Sequence, residues 1–123
     1  MAVPRVLFAV PLLVAGILLP AAGARLHKAP AGVIGMGHEG YSSKVITIHR
    51  GQRITFQNNS RWIHIIGPGQ GGHLATPNGE PVSGRLLMSQ NDVYTTGQWN
   101  TPGTYHLTCS VHPEMTTKIV VSP

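Results

Sequence analysis

This chain of 123 residues predicts an all-β fold, a sandwich or small barrel. Three observations carry that expectation. Short runs of β-branched and aromatic residues alternate with clusters of Gly, Pro, Asn and Ser, no segment keeps a helical period, and about seven such runs fit into residues 25–123. That strand density is typical of sandwiches and barrels.

In chain order, residues 1–24 stand apart. Arg5 supplies positive charge, Val6 to Leu19 is an almost unbroken apolar run of 14 residues, and Ala22-Gly23-Ala24 offers a small-residue cleavage site. The run falls short of the roughly 18 residues that cross a bilayer. It reads as a cleaved export signal, with Arg25 opening a mature chain that has no transmembrane segment; an uncleaved anchor is the alternative. No cysteine follows the run, which argues against a lipid anchor. The expected location is the periplasm, the cell surface or the extracellular space.

Residues 25–42 are rich in Gly, Ala and Pro without a sustained period and read as a flexible lead-in, leaving 43–123 as the folded domain. Val45-Ile46-Thr47-Ile48, the turn residues Arg50-Gly51-Gln52 and the alternating Arg53-Ile54-Thr55-Phe56-Gln57 predict a hairpin with Ile54 and Phe56 facing the core. Asn58-Asn59-Ser60 ends it, and Trp62 to Ile66 is the next strand candidate. Gly67 to Gly84, with six glycines and three prolines, reads as a long loop or irregular connection with at most fragments of structure. Leu86-Leu87-Met88, Val93 to Gln98, Tyr105 to Cys109 and Lys118 to Val121 complete the set. In the run ending at Cys109, Pro102-Gly103 makes the turn. Tyr105, Leu107 and Cys109 then share one face, with His106 on the other, outward one.

Residues 25–123 carry eight basic and four acidic residues, and the basic ones are scattered. That pattern argues against a nucleic-acid stripe and fits a soluble protein steered towards partners with an acidic docking surface or towards an anionic cell surface; a monomer is expected. At 99 residues this part is enough for one core without staples. Its single cysteine, Cys109, cannot close an internal disulfide, and an exposed thiol outside the cytoplasm is open to oxidation. A buried small hydrophobe or a metal thiolate resolves that conflict.

The residues after Cys109 favour the metal. Cys109-Ser110-Val111-His112-Pro113-Glu114-Met115 places thiolate, imidazole and thioether at three-residue intervals after a strand. These soft and intermediate donors suit a copper ion that cycles between two oxidation states. Two imidazoles and one thiolate form the trigonal plane of a blue-copper centre, with Met as weak axial ligand. His64, set among Ile63, Ile65 and Ile66, is the candidate second imidazole. A hydrogen-bonded core histidine is the ordinary reading of such a residue. His49, His73 and His106 read as surface residues, and Met36 and His38, with His27 nearby, as fillers or at most weak copper capture in the lead-in.

Three stretches resemble the cupredoxins, within them the plastocyanin and amicyanin branch. Ile46-x-Ile48-x2-Gly51-Gln52-x-Ile54-x-Phe56-x-Asn58-Asn59, running on to His64, is similar to that family's early hairpin. Trp99-x-Thr101-Pro102-Gly103-Thr104-Tyr105-x-Leu107-x-Cys109 is similar to its cysteine strand, and Cys109 to Met115 resembles the short ligand loop of amicyanin. The resemblance implies a Greek-key β-sandwich of about seven to eight strands, one type 1 copper ion on His64, Cys109, His112 and Met115, and one-electron transfer to redox partner proteins with the electron leaving by His112. Trp62 and Pro113 are expected in the apolar patch around that exit, with Arg61 on its rim. The family often places Asn directly after the first histidine to tie the ligand loops together; here the residue is Ile65.

Other classes fit less well. Copper storage or delivery is the alternative function and uses the same residues, with Met36 and His38 in its favour. Multicopper oxidases need histidines flanking the cysteine, where Thr108 and Ser110 stand, and a four-ligand site leaves no open position for substrate, so an enzyme is not expected. Structural zinc sites do not use Met. A metal-free sandwich leaves the four donors as coincidence.

Overall fold

The computed structural model describes residues 32–123; the export signal expected at 1–24 and the start of the lead-in lie outside them. Among the described residues nine strands form: β1 Val33–Met36, β2 Val45–His49, β3 Thr55–Asn58, β4 His64–Gln70, β5 His73–Leu74, β6 Leu86–Met88, β7 Val93–Thr95, β8 Gly103–Cys109 and β9 Thr116–Ser122. They make a three-stranded sheet, β1-β3-β7, and a six-stranded sheet, β2-β9-β8-β4-β5, with β6 also on β4. The all-β sandwich expected from the sequence is what forms, with nine strands rather than seven to eight. Met36 and Phe56 from the small sheet and Ile46, Ile66, Leu107, Ile119 and Val121 from the large one meet in a single buried core.

Three local expectations need correction. The lead-in 25–42 contains a strand: β1 pairs in parallel with β3, Val33 opposite Thr55 through Met36 opposite Asn58, and Met36 is fully buried. Its signal was masked by Gly35, which breaks the alternation because a Cβ there would stand 2.8 Å from Asn59 Nδ2.

The hairpin predicted for β2 and β3 does not form either. β2 pairs in parallel with β9, β3 pairs with β1 and β7, and the intervening turn is a corner between sheets. There Gly51 N donates to the Trp99 carbonyl at 2.7 Å and Arg50 N to the Ser122 carbonyl at 2.8 Å, so the turn, closed on itself by Gln52 N to the His49 carbonyl at 3.1 Å, is also tied to other segments. Ile54 and Phe56 face the core as expected.

The Gly67–Gly84 connection is more regular than its composition suggests. β4 runs through Pro68 to Gln70 and folds back as β5, with Gln70 opposite His73. Gly71 and Gly72 form the turn at φ 58° and 83°, the paired positive values that a two-residue hairpin demands. Its tip braces the end of β8 and the start of β9: Gly72 N donates to Thr108 Oγ1 at 2.9 Å and Gly71 N to Thr116 Oγ1 at 3.2 Å.

Candidate metal centre

The end of β8 and the start of β4 lie side by side, Ile66 opposite Cys109, so strand pairing brings His64 to the cysteine across 45 residues of sequence. After Cys109 the chain turns back on itself. Met115 N donates to the His112 carbonyl at 2.9 Å, and Cys109 N donates to the Met115 carbonyl at 3.0 Å. This closed loop sets His112 beside the thiol and returns Met115, fully buried, to the backbone of Cys109.

His64 Nδ1 lies 3.6 Å from Cys109 Sγ, His112 Nδ1 lies 3.8 Å from the same sulfur, and the two Nδ1 atoms are 3.2 Å apart. Metal bonds of about 2.0–2.1 Å to imidazole and about 2.3 Å to thiolate, opened at 120°, separate such donors by about 3.5–3.8 Å. The two N–S separations match that geometry, and the shorter N–N separation of 3.2 Å corresponds to a narrower angle of about 100°, so the triangle can close on one first-row ion. His64 and Cys109 are fully buried, and His112 is half-buried. Among the described residues these three form the one group of His, Cys, Asp and Glu arranged to hold a metal.

Of the sequence-predicted donors, His64, Cys109 and His112 converge and Met115 is buried next to them in the loop. His49 and His73 are exposed. His106, expected to face outward, is half-buried, lining a shallow cavity with Glu80 and Tyr105.

Burial lowers the His64 pKa, and the neighbouring His112 and His38 push it the same way, while the Gly37 carbonyl opposes them. The ring is therefore neutral at pH 7, the form that ligates metal. Tyr41, packed edge-on against Phe56 at 5.8 Å, has a buried hydroxyl without a hydrogen-bond partner. Burial, followed by the field of Cys109, pushes its pKa upward and keeps the phenol neutral.

Sequence reasoning missed two contributors. His38 stacks on Trp62 with ring centres 4.6 Å apart and stands edge-on to His112 at 5.0 Å; its place in a Gly-rich stretch hid it. Ser60 Oγ lies 3.1 Å from His64 Nε2. The Asn58-x-Ser60 pair, an Asx-type turn that ends four residues before the histidine, was its available signal. The position of Ile65 is resolved by the backbone: its carbonyl accepts Ser110 N–H at 2.9 Å, tying the two ligand segments together without a polar side chain.

No family model matches the chain, and no curated protein matches it. Solved structures do. The chain is similar to amicyanin from Paracoccus versutus (Thiobacillus versutus) at 23% identity and TM-score 0.58, over 76% of this chain and 85% of that one. It is similar to a purple cupredoxin from Nitrosopumilus maritimus at 19% identity and TM-score 0.61, over 74% and 99%. A mutant amicyanin in its Cu(I) form matches at 21% identity and TM-score 0.57, over 78% and 87%. With the two-sheet topology and the His-Cys-His cluster at one end of it, these likenesses give the chain the fold of the cupredoxins.

Proposed function

We propose that this protein is an exported one-electron carrier that holds a single type 1 copper ion on His64, Cys109, His112 and Met115. The observation that carries the reading is the convergence of two imidazole nitrogens and one thiol sulfur within 4.8 Å of one another, beside a buried methionine. Bound copper supplies a one-electron change between its cuprous and cupric states.

The protein's own groups do the rest. Cys109 gives the thiolate, His64 and His112 give neutral imidazoles, and Met115 gives the soft fourth donor that separates this set from a zinc site. With four protein donors there is no open position for substrate, which argues for a carrier rather than an enzyme. Strand pairing and the closed Cys109–Met115 loop hold the donors in place, so little rearrangement accompanies a change of charge.

His112 is the one of the three His and Cys donors that reaches solvent, and we assign it as the electron's exit. Trp62, Ile63 and Val111 are exposed nearby in sequence, and the His38 ring sits between Trp62 and His112. Such an apolar, ring-rich surface suits brief docking of a redox partner. The Arg61 guanidinium, 5.6 Å from the Trp62 ring centre, favours acidic groups on that partner. Copper storage or delivery is less well supported, because Met36, a residue that favoured it, lies in the core.

Repeated reduction and reoxidation of the copper-loaded protein in the presence of a stronger copper chelator tests this. A carrier passes one electron per copper and retains the ion through many cycles. Loss of copper within the first cycles would point to delivery instead.

A further inference from the structure

His64 can present Nδ1 to a metal only if its proton sits on Nε2, and a chain of side-chain hydrogen bonds decides which nitrogen carries it. The chain begins at Asn58, which is fully buried. Its Nδ2 lies 2.7 Å from the Trp62 carbonyl and 3.1 Å from the Met88 carbonyl. Two acceptors on one side fix the amide's orientation, because its oxygen there would face two other oxygens.

Asn58 Oδ1 therefore faces Ser60, and accepts from its backbone N–H at 3.0 Å and its hydroxyl at 2.8 Å. The Ser60 hydroxyl has one proton. Three acceptors compete for it: Asn58 Oδ1 at 2.8 Å, a bare His64 Nε2 at 3.1 Å and the Trp62 carbonyl at 3.3 Å. Donation to the nearest, Asn58 Oδ1, leaves Ser60 Oγ with lone pairs alone, one taking Trp62 N–H at 3.2 Å and the other facing His64 Nε2 at 3.1 Å. A lone pair there demands a proton on Nε2. Nδ1 is then bare and directed at Cys109 Sγ and His112 Nδ1, at 3.6 and 3.2 Å.

We propose that Ser60, aimed by Asn58, is a positioning residue that locks His64 in its Nε2–H tautomer and so prepares Nδ1 as a metal donor before any ion arrives. This deepens the proposed function and rests on His64 being a ligand. Partners of this kind typically change metal affinity 10–100-fold. The rival is the Gly37 carbonyl, which also acts on the His64 ring and, if it sufficed alone, would make the hydroxyl idle.

The test pairs long-range ¹H–¹⁵N NMR of the metal-free protein at pH 7.5 with copper affinity, for the unaltered protein, Ser60→Ala and Ser60→Thr. Expected are a protonated Nε2 in the unaltered protein, shifted ring nitrogens and about 10–100-fold weaker copper binding in Ser60→Ala, and recovery of both in Ser60→Thr, whose hydroxyl can take the same place. A proton on Nδ1 in the unaltered protein would overturn the proposal. So would a Ser60→Ala protein with unchanged ring nitrogens and unchanged affinity. If Ser60→Ala does not fold, the tautomer of the unaltered protein still decides. A protonated Nε2 that responds to Ser60→Ala in a protein binding no copper would uphold the lock and remove the copper carrier reading.

Discussion

Strand β8 joins two regions that are built on different terms. Near its start, Trp99 is fully buried and packs edge-on against Tyr105 at 5.3 Å. Its indole N–H donates to Thr96 Oγ1 at 3.0 Å, which also accepts Ile54 N–H at 3.1 Å and donates to the Gly97 carbonyl at 2.7 Å. At the other end, six residues on from Gly103 and about 20 Å away, His64, Cys109 and His112 meet with polar atoms aimed at a common point. The first end spends its chemistry on internal satisfaction and holds the sandwich together. The second buries groups whose best partner is not another protein atom, and so trades stability for binding.

The sharpest way to break that contrast is Trp99→Ala. Removing a buried Trp costs about 3–5 kcal/mol, read by urea or thermal unfolding, while the folded fraction keeps its copper spectrum. A spectrum lost before the fold would mean that the two ends are coupled. Next in size is the gain from metal: copper at 100-fold over its dissociation constant adds about 2.7 kcal/mol to stability. His64→Gln should abolish most of that gain and leave the metal-free fold standing.

The pH response is smaller and also belongs to the metal end. Burial keeps native His64 neutral, whereas the unfolded chain takes up a proton near pH 6.5. This stabilising contribution is therefore complete above about pH 6.5 and shrinks as pH falls towards the lowered native value, by up to about 1.4 kcal/mol per pH unit. Unfolding of metal-free protein at pH 7.5 and 5.5 measures it, and His64→Gln should flatten the slope. The smallest effect on stability is expected for Met115→Leu, under about 1.5 kcal/mol for a volume-conserving swap. Its consequence is electronic: the reduction potential rises and copper stays bound. Loss of all copper would show that Met115 is indispensable rather than axial and weak.

How much of this was legible in the sequence follows the same division. The donors could be read because their chemistry is rare: one cysteine, then His112 and Met115 at fixed steps, and His64 alone among isoleucines. The cysteine strand could be read because Tyr105, Leu107 and Cys109 alternate. What was hidden depends on non-local partners. Nothing near Val45–Ile48 says that it pairs in parallel with Lys118–Val121 rather than with the run after its own turn. Gly35 disguises β1 because its requirement for space comes from Asn59, and Gly71-Gly72 looks like loop until both residues are seen to form a tight hairpin turn. Ser60 carries no metal-ligand signature and His38 reads only as a filler or weak copper capture, and both gain their place from contacts with His64, His112 and Trp62.

The central claim, that Cys109 binds copper as a thiolate in a two-histidine plane, is tested most directly by visible absorption during titration with Cu(II), beside a Cys109→Ser control. The account predicts an intense thiolate-to-copper band that saturates at one equivalent and is absent from the control. No such band, or one indifferent to Cys109, would contradict it.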